Sequence, residues 1–132
     1  MPETLEIGRG FTAVNVTLVT TAETVIVSTD RVASPRQTVQ AMILAWAQLT
    51  TGTATTTVTA RIRRGLLATD PLVGEANAVT IGAAAGGVEV FSVFVSEGLA
   101  DAASVIYSLT LEQAAATGNG TALQAAILAL LI

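Results

Sequence analysis

The chain contains no histidine, no cysteine and no lysine. Histidine and cysteine provide most ligands for zinc and other transition metals, and they are common general bases and nucleophiles in enzymes. A cupin-like metal enzyme, for example, normally needs several histidines. The composition therefore predicts a protein that is not an enzyme, with no catalytic residues, no metal site and no cofactor. The absence of cysteine also excludes a disulfide framework.

Charged residues are also scarce. Only 12% of the 132 residues are charged, about half the share of an average soluble domain, whereas 52% are hydrophobic. The formal net charge is −4, which argues against a nucleic-acid partner. The length suits one domain with a core. Because the charged residues are too few to cover the surface of a monomer in water, we expect the chain to assemble with other chains.

Long apolar runs are missing as well. A membrane-spanning helix needs about 18 or more consecutive apolar residues, and the longest run, residues 125–132, falls well short of that length. The first ten residues carry Glu3, Glu6 and Arg9 where a signal peptide would have a basic region followed by an apolar one. We therefore expect no membrane partner and no signal peptide.

Two segments, residues 39–50 and 121–132, are apolar on both alternating faces. A strand that shows one face to water alternates between apolar and polar residues, so these segments predict strands that are buried on both sides. The second face is expected to meet another subunit. An alternative is a thick core in which a helix covers one sheet. For Trp46, which shares a face with Met42 and Leu44, an interface position and a core position are both open.

Short β-rich segments separated by turn signals follow one another along the whole chain, which predicts an all-β sandwich or barrel. The alternation is clearest in residues 104–113, where Val105, Tyr107, Leu109 and Leu111 are predicted to face the core. The predicted strands are residues 5–8, 11–19, 24–28, 39–49, 54–64, 76–81, 88–96, 104–113 and 121–132.

Two of these predicted strands have the composition of helices. Residues 41–49 and 122–132 are rich in Ala, Leu and Met, which favour helix by intrinsic propensity. Turn signals favour strands instead, because Thr51-Gly52-Thr53 follows the first segment and Gly118-Asn119-Gly120 precedes the second. We predict a strand for each segment and a hairpin at each turn.

The strand at residues 54–64 places Arg61 and Arg63 on one face, opposite a core face formed by Val58, Ala60 and Ile62. Together with Arg64, these arginines form a candidate basic patch that could bind carboxylates of a partner through bidentate contacts. The alternative is a solvated strand edge whose arginines pair with acids of the same chain.

About eight or nine antiparallel strands in ~130 residues is the size of a jelly roll, with an immunoglobulin-like sandwich as the main alternative. Several segments resemble small jelly-roll structural proteins of tailed bacteriophages, namely the capsid decoration or cement proteins and related head-fibre and tail modules. The resemblance covers residues 39–132. It rests on Ile43-Leu-Ala-Trp46-Ala-Gln-Leu-Thr-Thr-Gly52, Val58-Thr-Ala-Arg61-Ile-Arg63-Arg64-Gly65, Pro71-Leu-Val-Gly74, Tyr107-Ser-Leu-Thr-Leu and Ala116-Thr-Gly118-Asn-Gly120-Thr.

The resemblance implies an antiparallel jelly-roll sandwich, similar to the trimeric tumour-necrosis-factor fold, in residues 11–132 after an N-terminal arm in residues 1–10. It implies a virion structural protein on the capsid exterior, made in the cytoplasm of a bacterial host. As a homotrimer bound to the major capsid protein, the protein would stabilise the capsid by bridging capsomers. An alternative is a head-fibre or tail module that binds a host-surface receptor or a carbohydrate, which would need exposed aromatic side chains.

The resemblance and the apolar patterns together define candidate interface residues, for contacts with another subunit or with the capsid. In the arm, Leu5 and Ile7 are expected to order on a neighbouring subunit. The expected interface side chains in the sandwich are Met42, Leu44, Trp46, Arg61, Arg63, Arg64, Leu128 and Leu130.

Overall fold

A computed structural model describes residues 6–12, 16–18, 21–33, 38–50, 55–81, 88–100, 104–114 and 120–132. Within these ranges every regular element is a β-strand, which confirms the prediction of an all-β chain. The strands are β1 (Glu6–Thr12), β2 (Val16–Thr17), β3 (Thr24–Ser28), β4 (Val32–Ala33), β5 (Thr38–Thr50), β6 (Thr56–Arg64), β7 (Leu72–Ile81), β8 (Val88–Ala100), β9 (Ser104–Val105), β10 (Tyr107–Gln113) and β11 (Thr121–Leu131).

The strands form two main antiparallel sheets. The first sheet has the order β1-β11-β5-β8, with β2 also paired to β11, and the second has the order β3-β10-β6-β7. The sheets lie against each other, so that β1 contacts β3 at one side and β8 contacts β7 at the other. A small separate ladder joins β4 to β9. The chain is therefore a two-layered antiparallel sandwich.

The longer strands pair from the two ends of the sequence inward. β1 pairs with β11, β3 with β10, β5 with β8, and β6 with β7. As a result, β6 and β7 are the only consecutive long strands of the described chain that pair with each other. The predicted hairpins are wrong, because β5 and β6 lie in different sheets and so do β10 and β11.

The inner faces of the two sheets meet in one core. The inner faces of β5 and β11 include six alanines, whereas those of β6 and β10 carry mostly larger side chains. All residues predicted to face the core are buried, which confirms the predicted strand faces. The main core side chains of these four strands are Ala41, Ile43, Ala45, Ala47, Leu49, Val58, Ala60, Ile62, Tyr107, Leu109, Leu111, Ala122, Ala125, Ile127, Ala129 and Leu131.

The two segments with helical composition, now β5 and β11, are strands as predicted and lie in the centre of the first sheet. Each is hydrogen-bonded to a strand on either side, and this pairing overrides the weak helix preference of Ala, Leu and Met. One apolar face of each strand is in the core. The other face points away from the second sheet and remains partly exposed.

The sequence assigns residues 6–10 to an N-terminal arm. In the structure these residues form the first part of β1 and pair with β11 of the same chain. Two glycines permit this position. A Cβ atom on Gly10 would overlap the carbonyl oxygen of Ser28, and one on Gly8 would overlap Val32. Ile7 is therefore a sheet residue. Leu5 and the rest of the expected arm lie outside the described residues.

Candidate functional site

The outer face of the first sheet is mostly apolar, and we call it the apolar face. Its described members include Ile7, which the sequence assigns to the arm, and the five apolar side chains of the sandwich that the sequence assigns to an interface, namely Met42, Leu44, Trp46, Leu128 and Leu130. Cross-strand neighbours form successive rows from β1 to β8: Ile7, Leu130, Met42 and Ser96, then Arg9, Leu128, Leu44 and Phe94, then Phe11, Ala126, Trp46 and Ser92.

Several large side chains of the apolar face are open to solvent. Phe11 is 62% exposed, Phe94 60% and Leu44 43%. Trp46 is half-buried on this face, so it does not belong to the core. A shallow groove of about 410 Å³ crosses the face beside Trp46. The groove is lined by Arg9, Gly10, Phe11, Leu44, Trp46, Ala126, Ile127 and Leu128.

One charged side chain interrupts the rows of the apolar face. Arg9 is exposed and lies next to Leu128, and none of the described side chains in these rows is a carboxylate. The Arg9 guanidinium has no ion-pair partner among the described residues. The apolar face therefore combines a large hydrophobic area with one positive charge that has no ion-pair partner among the described residues.

The outer face of the second sheet is polar and is closed by an ion-pair cluster. The Glu23 carboxylate accepts two hydrogen bonds of 2.8 Å from Arg63, through Nε and Nη2, and one of 3.1 Å from Nη1 of Arg61. Thr110 donates a further hydrogen bond of 2.8 Å from Oγ1. Arg61 also lies 3.6 Å from Glu112. These arginines thus have partners in their own chain, as in the alternative that the sequence left open.

The cluster favours the ionised form of Glu23. Burial alone would raise the pKa of this carboxyl, but the hydrogen bonds from Arg63 and Thr110 and the charges of Arg63 and Arg61 outweigh it, so the pKa lies below its usual value. The hydrogen bonds to Glu23 raise the pKa of Arg63 in turn. Thr110, although it lies on the outer face, is fully buried beneath this cluster.

Arg64 belongs to a different cluster, which links the two sheets at one end of the sandwich. Its Nε forms an ion pair with Oε1 of Glu97 of β8 at 2.8 Å, and the Tyr107 hydroxyl donates a hydrogen bond of 3.0 Å to the same carboxylate oxygen. Burial raises the pKa of Tyr107 well above its ordinary value, and the adjacent Glu97 carboxylate raises it further. The sequence-predicted patch of three arginines is thus divided between two sites.

A wider cleft of about 740 Å³ lies at the same end of the sandwich. Its walls combine two arginines, Arg31 and Arg64, with the exposed Leu66 and Leu67. Asp70 also lines the cleft, but its carboxylate already accepts a hydrogen bond of 2.8 Å from the Leu67 amide. The sequence alone does not predict this cleft, because it is formed by loops that come together only in the fold.

Within the described ranges, no three His, Cys, Asp or Glu side chains are grouped so that they could hold a metal ion. The same ranges contain no helix that is long and apolar enough to cross a membrane. No family model matches the sequence, and a search of curated proteins finds no significant match. The case for a function therefore depends on the surfaces of this chain.

Proposed function

We propose that the sandwich is a jelly roll of the tumour-necrosis-factor type. The nested pairing supports this topology, since a jelly roll is a long antiparallel hairpin wrapped into two sheets, with its first strand beside its last. An immunoglobulin-like sandwich instead has sheets with the strand orders A-B-E-D and C-F-G, in which several pairs of consecutive strands lie side by side. The strand order favours the jelly roll.

We further propose that the chain is a virion structural protein that decorates the exterior of a bacteriophage capsid as a homotrimer. The apolar face is the observation that carries the proposal. Four strands about 4.8 Å apart, followed over about 25 Å, give a face of roughly 500 Å² in projection. The largest apolar patch of a typical monomer is about 300–600 Å² and is often functional. A surface of this kind favours assembly with another protein surface.

In the proposed mechanism, the protein stabilises the assembled capsid by binding to it. A trimer that binds the major capsid protein of neighbouring capsomers only in the assembled shell stabilises that state by mass action. The location on a capsid is supported by the resemblance in sequence, and the need for a partner by the apolar face. The ion pairs of Arg61, Arg63 and Arg64 leave the apolar side chains as the main candidates for contact with another subunit or with the capsid.

The first experiment is the solution mass of the purified chain by light scattering after size exclusion. Three copies of the 13.4 kDa chain give about 40 kDa, the mass expected for a closed cyclic trimer. Co-sedimentation with expanded capsids of the encoding phage then tests decoration. A trimer that does not bind these capsids would overturn the capsid role, and a monomer that also fails to bind them would overturn the assembly role too.

A test of the N-terminal segment follows from the position of β1. Deletion of residues 1–5 leaves the pairing of β1 with β11 complete, whereas deletion of residues 1–10 removes most of it. The shorter deletion is therefore the proper test of whether an arm contributes to capsid binding. An unchanged capsid affinity after this deletion would contradict a role for Leu5.

The exposed aromatic side chains favour a second candidate function, the receptor- or carbohydrate-binding module. Phe11, Phe94 and Trp46 lie on one face, and aromatic rings on a surface can stack on sugars. Binding to a panel of cell-wall glycans by the native chain, and its loss in Trp46→Ala, would favour this function. The same substitution would then be expected to leave capsid binding unchanged.

A further inference from the structure

The loop at residues 65–71 presents two adjacent exposed leucines at one end of the sandwich. Leu66 is 54% exposed and Leu67 is 62% exposed. The Asp70 carboxylate accepts a hydrogen bond of 2.8 Å from the Leu67 amide, and the Asp70 amide donates one of 3.0 Å to the Leu67 carbonyl. These hydrogen bonds hold the turn that exposes the two apolar side chains.

Two further hydrogen bonds attach this loop to the second sheet. The Ser108 hydroxyl of β10 donates a hydrogen bond of 2.6 Å to the Gly65 carbonyl. At the other end of the loop, Nη1 of Arg63 donates one of 3.2 Å to the Asp70 carbonyl. A surface that is fixed in advance loses little conformational entropy when a partner covers it. Exposed leucines on such a loop therefore favour an interaction site.

The loop forms part of the cleft of about 740 Å³, which we call the end cleft, and the walls of this cleft have an excess of positive charge. Arg31 and Arg64 line it, against the single carboxylate of Asp70. Nη1 of Arg31 donates a long hydrogen bond of 3.4 Å to the Ser104 hydroxyl, and Arg31 has no ion-pair partner among the described residues. Arg64 remains 43% exposed beside Glu97.

Two other acids lie close in sequence or in space but do not line the end cleft. Asp30 precedes Arg31, and its amide donates a hydrogen bond of 3.2 Å to the Arg9 carbonyl of β1. Glu97 lies behind Arg64 and outside the walls. A ligand that suits these walls has one carboxylate beside apolar side chains. A nucleic acid fits them less well, because Asp70 repels phosphates and the two leucines would meet no apolar group.

We propose that the end cleft binds an acidic and apolar segment of the major capsid protein, with a carboxylate of that segment at Arg31 and an apolar side chain against Leu66 and Leu67. This proposal rests on the capsid role proposed above and names the surface that contacts the capsid. The apolar face, which shares no described residue with the end cleft, then joins the copies of the chain. A cyclic trimer has one axis, so its three clefts lie at the same height and can meet one capsid surface.

The test is the affinity of the full chain for expanded capsids of the encoding phage, measured by co-sedimentation over a range of concentrations. Leu67→Gln is expected to weaken binding at least about thirtyfold, because it removes one leucine from a buried contact. Leu72→Gln is the matched control and is expected to leave binding unchanged, since Leu72 is 43% exposed but does not line the end cleft. Circular dichroism and sedimentation equilibrium establish that each variant folds and associates like the native chain.

Substitutions of Arg31 test the carboxylate contact. Arg31→Gln is expected to weaken capsid binding about tenfold and to make the remaining affinity less dependent on salt, because it removes the charge from the contact. Arg31→Lys keeps the charge and is expected to lose less affinity. An affinity and a salt dependence that are both unchanged in Arg31→Gln would overturn the carboxylate contact.

The leucine variants separate this proposal from the capsid role itself. Equal capsid binding of Leu67→Gln and Leu72→Gln would overturn the assignment to the end cleft, while binding by the native chain would leave the capsid role standing. Weaker self-association of Leu67→Gln would assign the end cleft to a contact between copies of the chain and overturn its role on the capsid. A native chain that does not bind the capsids would overturn both proposals.

Discussion

At the scale of single residues, the Glu23 carboxylate holds together parts of the chain that are distant in sequence. Its oxygens accept hydrogen bonds from β6, through Arg61 and Arg63, and from β10, through Thr110. Glu23 itself lies just before β3. Because its side chain is only 11% exposed, these bonds are shielded from water and are stronger than those of a surface ion pair. Glu23 therefore fixes the start of β3 against the polar face of the second sheet.

Replacing Glu23 by glutamine removes the negative charge from this cluster. We expect Glu23→Gln to lower the free energy of unfolding by about 2 kcal/mol, since Arg63 and Arg61 lose their charged acceptor while they remain partly buried. Urea denaturation measures the change. Glu112→Gln is the matched control, because Glu112 is more exposed and lies 3.6 Å from Arg61. An equal effect of the two substitutions would contradict a special role of Glu23.

The lowered pKa of Glu23 also predicts how stability depends on pH. The unfolded chain takes up a proton at this carboxyl near the ordinary pKa of 4.5, whereas the folded chain does so only at lower pH. The stabilising contribution is thus complete above the unfolded value and is lost as the pH falls through the folded value. We expect the difference in unfolding free energy between native chain and Glu23→Gln to shrink as the pH falls below the ordinary pKa of 4.5. A constant difference would show that Glu23 is not titrating in this way.

The position of Glu23 could not be predicted from the sequence, although that of its partners could. Alternation in residues 54–64 correctly places Arg61 and Arg63 on one face. Glu23 comes 38 and 40 positions earlier, and no spacing rule connects it to them. The outward direction of Thr110 could be predicted for the same reason as that of the arginines. Its complete burial could not, because it depends on neighbours such as Glu23 that the fold brings over it.

At the scale of secondary structure elements, β1 depends on glycine where it approaches β3. The carbonyl oxygen of Ser28 occupies the space where a Cβ atom of Gly10 would lie. We expect Gly10→Ala to lower the free energy of unfolding by about 1–3 kcal/mol, because the backbone must shift to remove the overlap. Thermal unfolding measures this loss.

Gly98 of β8 is the control for this substitution. A Cβ atom added there would meet nothing within 4 Å. Gly98→Ala is therefore expected to be neutral or slightly stabilising, since alanine reduces the entropy of the unfolded chain. If both glycine substitutions have the same effect, the close contact between β1 and β3 is not what requires glycine at position 10.

Strands were easier to predict than their pairing. Apolar and polar residues alternate in residues 104–113, and this alternation depends only on the local geometry of a strand. The structure buries the four apolar side chains, Val105, Tyr107, Leu109 and Leu111. Pairing depends on contacts between distant segments, which short turn sequences do not determine. The glycine-rich sequences before β6 and β11 suit hairpins, yet both connections lead to the other sheet. The position of residues 6–10 in β1 likewise brings Gly8 and Gly10 against Val32 and Ser28, which are distant in sequence.

At the scale of the whole molecule, the two sheets have opposite outer surfaces. The second sheet is covered by the Glu23 cluster and by threonines, of which Thr57 and Thr80 lie 3.2 Å apart between their hydroxyls. The first sheet exposes Phe11, Leu44 and Phe94 instead. Both sheets contribute an inner face to the same core, so core formation does not explain this difference. It follows from the apolar residues on the second face of β5 and β11, the feature that the sequence makes visible.

If the apolar face is the surface through which copies of the chain assemble, replacing a leucine on it should weaken assembly. Replacing an exposed leucine outside it is the control. Leu44 is 43% exposed in the middle of the face, and Leu66 is 54% exposed in the end cleft. We expect Leu44→Gln to weaken self-association about thirtyfold, which corresponds to about 2 kcal/mol for removing one leucine from a buried contact. Leu66→Gln is expected to leave association unchanged, as measured by sedimentation equilibrium. Because both side chains are exposed in the single chain, neither substitution should reduce the free energy of unfolding measured at dilution. Equal association of the two variants would mean that the apolar face is not the surface through which copies of this chain assemble.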